Sequence, residues 1–334
     1  MNAPEHAEWT FAASTFNWTP DIIAADRPAA EIVRSVVADG VASTIELEAG
    51  SVWRSFPEPS DAEVDALRES LAAAGGSVST VGLSLDDFAS TLRPRSHAER
   101  LAFLLPQLRA ANQVGARGVR LPIGQAGRPL LDDLLPLLEQ DDLTLYEEIQ
   151  GQQAPSSPPV AAALETIDSL GSERVRVLVD VSLLMPALPV SYLERLATAG
   201  LPPDLLDRLG AEWSDPETGD AVVAFLRSGK VPASVHTLYM NLLIRFGRSH
   251  VDDLRGILPL VGAFHLKFWD LDDADARVSA PLADLGRLLR SAPHPFTGTL
   301  TSEWGGHEWL VDTDATAITR AHLALARSAL TSTV

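Results

Sequence analysis

Residues 264–270 read FHLKFWD, which places one of eight histidines and one of only two lysines two positions apart. In an extended strand alternate side chains face opposite ways, so His265 and Lys267 share one face while Phe264, Leu266 and Phe268 share the other. A wholly apolar face leaves the opposite face, with its imidazole and ammonium, for chemistry. Three further β-like runs carry an acid at or near their carboxyl ends: LTLYEE (143–148), VRVLVD (175–180) and GTLTSEW (298–304). Alternation sets their directions. Val175, Val177 and Val179 take one side of their run and leave Asp180 on the other with Leu178. Leu143 and Leu145 likewise leave Thr144, Tyr146 and Glu148 together, which favours Glu148 over Glu147, and Thr299, Thr301 and Glu303 share a face. Three carboxylates and one imidazole gathered in one place repel without a cation. Glu148, Asp180, His265 and Glu303 are therefore the candidate ligands of a divalent ion. An oxygen-rich set with one nitrogen and no sulfur suits Mn²⁺, or Mg²⁺ or Co²⁺, better than a structural zinc.

Such residues need a scaffold that gathers strand ends. Besides those four runs, TFAASTF (10–16), STIELEA (43–49), SVSTVGL (77–83) and GVRLPI (118–123) also read as strands. Amphipathic segments lie between them, several with clear punctuation. SDAEVDALRESLAAAGG opens on a Ser cap with acids in its first turn and stops at glycines, and SHAERLAFLLPQLRAANQVGARG does likewise. Eight strands alternating with helices predict an α/β fold, a (β/α)8 TIM barrel, in a single domain over residues 1–334. A doubly wound open sheet shares the repeat, but no G-x-G-x-x-G follows the first strand, and no nicotinamide or flavin is expected.

Composition narrows the function classes. The chain has 334 residues, 46% of them hydrophobic, so it can build a substantial core and is not disordered. A formal net charge of −19 disfavours nucleic acid and anionic membrane surfaces as partners. The absence of Cys excludes disulfides, thiolate nucleophiles and Cys-bound metals. The amino-terminal stretch MNAPEHAEWTF carries no basic region followed by an apolar run, and no apolar stretch of membrane-spanning length occurs, so a cytoplasmic location is expected.

One interval is out of step with the repeat. Between Asp180 and His265 the chain carries roughly 50 residues more than a βα unit needs. A helical insertion at 186–250, between strands six and seven, is predicted to emerge over the carboxyl-terminal face where barrels keep their chemistry. PPDLLDRLGAEW and SVHTLYMNLLIRFGRSH read as helices in it and SDPETGD as a turn. Lys230, His236, Arg245, Arg248 and His250 gather there beside apolar LYMNLLI, which makes the segment a lid or a docking platform. His307, on the glycine-flanked loop EWGGHEW, and His236 are candidate bases near the mouth. Trp269, Trp304 and Trp309 are candidates to stack on a ring. His97 and His322 are read as solvated or capping residues on outer helices.

In the order of its motifs the chain resembles the xylose isomerase-like TIM-barrel superfamily of sugar phosphate isomerases and epimerases. The resemblance spans nearly the whole chain and rests on QVGARGVRLPIG, LTLYEEIQG, VRVLVDVS, FHLKFWD and LTSEW. It implies that Glu148, Asp180, His265 and Glu303 hold one divalent ion and that the two glutamates flank the substrate. It also implies that the ion polarises a carbonyl so that a carboxylate can remove the neighbouring proton. Lys267 and His307 join Glu148 and Glu303 as catalytic candidates, and Arg120, Gln150, Trp304 and His236 are assigned to the substrate.

Departures from the family pattern point further. Leu183 stands where family epimerases carry the His of Asp-x-x-His, and Gln150 where a His or Asn often follows the fifth-strand Glu. These changes and the insertion also resemble the TIM-barrel subunits of C-glycoside deglycosidases, in which a keto group acidifies a C–H and the aglycone leaves. Two enzyme readings result. One is an isomerase or epimerase of a keto-sugar or keto-cyclitol. The other is a lyase-type deglycosidase that works on a 3-keto-glycoside with a small partner subunit; a homo-oligomer is the other assembly considered. An endonuclease IV-like barrel is disfavoured by the acidic charge, and a non-catalytic binding barrel would not need a metal.

Overall fold

The computed structural model describes residues 9–332, so the extreme amino-terminal residues of the leader reading lie outside it. Eight parallel strands close a barrel: β1 (Thr10–Ser14), β2 (Thr44–Glu48), β3 (Ser77–Gly82), β4 (Gly118–Pro122), β5 (Thr144–Ile149), β6 (Val175–Asp180), β7 (Val261–Phe268) and β8 (Thr299–Trp304). Each strand pairs with its sequence neighbours, and β8 returns to β1. The eight predicted runs are these eight strands.

Alternation decides which side chains fill the barrel and which meet the helices. Phe264, Leu266 and Phe268 of β7 and Val175, Val177 and Val179 of β6 join the main apolar core. Around the barrel, α1 (Ala29–Ala38), α2 (Asp61–Ala73), α3 (His97–Val114), α4 (Gly127–Gln140) and α5 (Pro158–Leu170) cover the first six strands. Ser60 caps α2 by accepting from Glu63 N, and α3 opens on a Ser96–Glu99 capping box and ends at Gly115 in the left-handed region.

Between β6 and β7 stand four helices: α6 (Val190–Thr198), α7 (Pro203–Ala211), α8 (Pro216–Arg227) and α9 (His236–Ile244). They have their own apolar cluster, which includes Tyr192, Leu209, Trp213, Tyr239, Leu242 and Phe246 and meets the barrel at Trp269. SDPETGD is mostly a helix start: Ser214 ends a turn, Asp215 caps α8 by accepting from Glu217 N, Pro216 sits in its first turn, and residues 217–220 are helical. In LYMNLLI, Tyr239 and Leu242 pack inward and Ile244 remains exposed. Three of the five neighbouring basic groups are engaged locally. Arg248 stacks on Trp213 at 3.6 Å, Arg245 pairs with Glu308, and His250 pairs with Asp252. Asn241 donates to Glu308 at 3.0 Å, Gln152 N to the Ile244 carbonyl at 3.2 Å, and Ser191 N to Asp270 at 3.0 Å. Those contacts tie the insertion to the loops that follow β5, β7 and β8.

The last helices, α10 (Ser279–Ser291) and α11 (Ala315–Thr331), complete the ring. His322 of α11 is not solvated: it is buried, stacks on Phe268 at 3.8 Å and lies 2.8 Å from Ser302 Oγ. It occupies the helix face that meets the sheet, so burial pushes its pKa down to about 3. His97, by contrast, is exposed and sits 2.6 Å from Asp133. Among the described residues, no helix is long and apolar enough to cross a membrane.

Candidate metal centre at the carboxyl end of the barrel

Glu148, Asp180, His265 and Glu303 meet inside the barrel mouth, all buried, with one ligand atom from each lying within 4.8 Å of the others. Strand register brings them there. Asp180 of β6 is paired with His265 of β7, and Glu303 of β8 with Lys267. Glu148 points inward, whereas Glu147 points outward and accepts from Gly124 N at 2.9 Å. Around His265, Nδ1 lies 2.9 Å from Glu148 Oε1 and 2.8 Å from Glu303 Oε2. Lys267 Nζ is 3.1 Å from Glu303 Oε1 and 4.4 Å from the centre of the Phe16 ring.

Two carboxylates that the sequence reading passed over complete the site. Glu46 and Glu48 both project inward from β2, where Ile45 and Leu47 take the outer face. The period-two pair of glutamates in TIELE was the available signal. Glu46 Oε1 lies 2.9 Å from His265 Nε2. Arg120 of β4 joins the two strands: it donates to Glu46 at 3.0 Å, to Glu148 Oε2 at 2.7 Å, and to Glu48. Gly82 makes space for this bridge, since a Cβ there would sit 2.6 Å from Glu48 Oε2 and 2.8 Å from Arg120 Nη2.

The electrostatics show a shortage of positive charge. Burial pushes Glu48 up to about 7 against the pull of Arg120, and pushes Asp180 up to about 7 against the pull of Lys267. For Glu148 burial acts upward too, but Arg120 and His265 outweigh it and hold the carboxyl low. Lys267 and His265 likewise overcome burial at Glu303 and hold it well below the carboxylate range. Burial disfavours a charged His265, yet Glu46, Glu303 and Glu148 together raise its pKa well above that of a free imidazole.

The donor set fits a divalent ion. Asp180 Oδ1 accepts from Ser182 N at 2.8 Å, while its buried Oδ2 has no hydrogen-bond partner. Glu303 Oε2 is buried without a hydrogen bond as well, because its approach to His265 lacks the geometry for one. Buried oxygens of this kind are expensive unless a donor or a cation meets them.

The remaining predicted residues divide. His307 is half-buried, with its ring 4.8 Å from Phe16 and 5.5 Å from Trp304, and its Nε2 is buried without a partner. Burial and then Lys267 lower its pKa, so it is neutral near pH 7. The residues assigned to the substrate stand in different surroundings. Arg120 has all three guanidinium nitrogens committed to carboxylates. Trp304 is buried on the helix-facing side of β8 and donates its indole N–H to the Trp269 carbonyl at 2.8 Å. His236 is exposed at the start of α9. Gln150 is half-buried, and its backbone N donates to Gln153 at 2.9 Å. Leu183, where the family pattern has a histidine, is fully buried.

The same TIM-barrel fold is found in solved sugar epimerases. A crystal structure of D-psicose 3-epimerase in the presence of D-fructose superimposes with a TM-score of 0.58 over 96% of this chain and 99% of that one, at 16% identity. No family model matches the sequence. Its homologues are alpha subunits of C-glycoside deglycosidases. That of Arthrobacter globiformis is 29% identical over 282 residues, covering 83% of this chain and 79% of the relative. The 3'-dehydrocarminate deglycosidase alpha subunit of a Microbacterium species is 27% identical over 308 residues, covering 88% and 87%.

Proposed function

We propose that this chain is the metal-dependent catalytic subunit of a carbohydrate lyase that cleaves a 3-keto-glycoside by elimination. The observation that carries the reading is the buried group Glu148, Asp180, His265 and Glu303, in which the buried Asp180 Oδ2 has no partner, in a chain whose homologues are deglycosidase alpha subunits. Glu148, Asp180, His265 and Glu303 hold the ion, most suitably Mn²⁺. When bound, the ion polarises the keto group and so acidifies the adjacent C–H.

The protein's part is proton handling. The C–H beside the carbonyl breaks and its proton passes to an acceptor. The electron pair forms a C=C bond as the bond to the aglycone breaks, and a proton then returns to the leaving group, so no oxidant or reductant is consumed. Glu148 and Glu303 flank the substrate. His307, neutral and with Nε2 unpaired, is the acceptor that replaces the histidine missing at Leu183. Lys267, beside Glu303, faces the negative charge that develops on the keto oxygen. The relatives' naming as alpha subunits supports a second subunit as partner.

A 3-keto-C-glycoside incubated in D₂O with the chain, shown by elemental analysis to carry about one Mn²⁺, tests the reading. Release of aglycone carrying solvent deuterium at the carbon that bore the sugar, together with an enone that has lost the hydrogen beside the keto group, is expected. Epimerised sugar without aglycone release would favour the epimerase reading, and neither aglycone release nor exchange would sink both.

A further inference from the structure

The face of His265 turned away from the proposed ligands is as fully specified as the face turned toward them. Its Nε2 lies 2.9 Å from Glu46 Oε1, and both side chains are essentially inaccessible to solvent. A carboxylate can only accept, so without an ion both ring nitrogens, each facing a carboxylate, donate; a metal displaces one of these hydrogens, and if Nε2 keeps its own on Glu46 the other nitrogen supplies the lone pair. That other nitrogen is Nδ1, the one beside Glu148 Oε1 and Glu303 Oε2. An ion on the Nε2 side would have to lie next to a guanidinium, because the same Glu46 Oε1 accepts from Arg120 Nε at 3.0 Å. Arg120 also takes Glu148 Oε2 at 2.7 Å, which leaves Oε1 as the oxygen of Glu148 turned to His265.

We propose that Glu46 and Arg120 are positioning residues of the metal centre: Glu46 fixes the His265 tautomer so that Nδ1 is the donor, and Arg120 restricts Glu148 to Oε1. The inference rests on the metal-centre reading. Outer partners of this kind orient a ligand and raise its basicity, and losing one weakens metal binding on the order of 10- to 100-fold. Arg120 is thereby a fixed part of the site, held by Glu46, Glu48 and Glu148 at once.

Two measurements test the pair without relying on turnover. In Mg²⁺-loaded protein with ¹⁵N-labelled histidine, long-range ¹H–¹⁵N correlations are expected to show His265 protonated at Nε2 and not at Nδ1. Competition with a chelator is expected to show Mn²⁺ affinity falling about 10- to 100-fold in Glu46→Leu and by a smaller factor in Glu46→Gln, which keeps an acceptor. Should Glu46→Leu not fold, Glu46→Gln and the wild-type tautomer still decide. A proton on Nδ1 in the loaded protein, or wild-type affinity in every folded Glu46 variant, overturns the proposal. If wild-type protein binds no ion, it is the metal-centre reading that fails.

Discussion

The two ends of the barrel interior use the same strands for opposite purposes. On β5, Tyr146 and Glu148 both point inward, two residues apart. Tyr146 is a plug: a Cβ on Gly118 would lie 2.5 Å from its ring, and one on Gly262 would lie 2.8 Å from the ring's other edge. Glycines on β4 and β7 thus clear the space that the tyrosine fills. At the carboxyl end the same two strands, β4 and β7, carry Arg120 and His265, and buried carboxylate oxygens without hydrogen bonds stand where packing would otherwise be. The tyrosine end stabilises the fold by filling volume. The carboxyl end gathers like charge that a cation relieves, and such concessions are the mark of a functional site.

That contrast can be broken by exchanging the two kinds of damage. Gly118→Val should cost about 3 kcal/mol, because its branched side chain meets the Tyr146 ring and the Thr144 carbonyl, which lies 2.9 Å from a Cβ there. Folded Gly118→Val protein should nevertheless bind Mn²⁺ with near wild-type affinity. Glu148→Gln should instead lose on the order of 100-fold or more in affinity, and its urea midpoint without metal should fall as well, because the carboxylate is paired with Arg120 and His265 in the buried site. Equal effects of both variants on both readouts would erase the distinction.

A smaller effect sharpens it outside the barrel. His322 has a folded pKa of about 3, below that of a free imidazole, so as pH falls below about 6.5 only the unfolded chain takes up its proton. Stability is therefore fully present above that pH and is lost as pH falls toward 3. Between pH 6 and 4 the native state should lose roughly 2 kcal/mol more than a His322→Gln variant does. Parallel urea midpoints for the two proteins over that range would show that His322 is not held neutral by burial.

Much of this was legible in the sequence because alternation is a local property. The inward parity of Glu148, Asp180, His265 and Glu303 follows from the valines, leucines and phenylalanines beside them, and the eight runs mark the strands. The departures came from residues whose partners lie far along the chain. Nothing near Arg120 says that Glu46, 74 positions away, will accept its Nε–H. Trp304 looked available only while the Trp269 carbonyl was out of view. His322 could be placed only once the Phe268 face of β7 was known to pack on α11. SDPETGD misled for a local reason: Asp, Pro and Gly serve turns and helix starts alike, and here Asp215 and Pro216 begin a helix.

The central claim is that one divalent ion is held by Glu148, Asp180, His265 and Glu303. Titration of metal-free protein with Mn²⁺, followed by the electron paramagnetic resonance of the free ion, tests it most directly. The account predicts about one tight site per chain in the wild type, lost together in Asp180→Asn and His265→Ala while both variants remain folded. Mn²⁺ left free in the presence of wild-type protein, with Mg²⁺ and Co²⁺ equally unbound, would contradict it, as would one site of unchanged affinity in both variants.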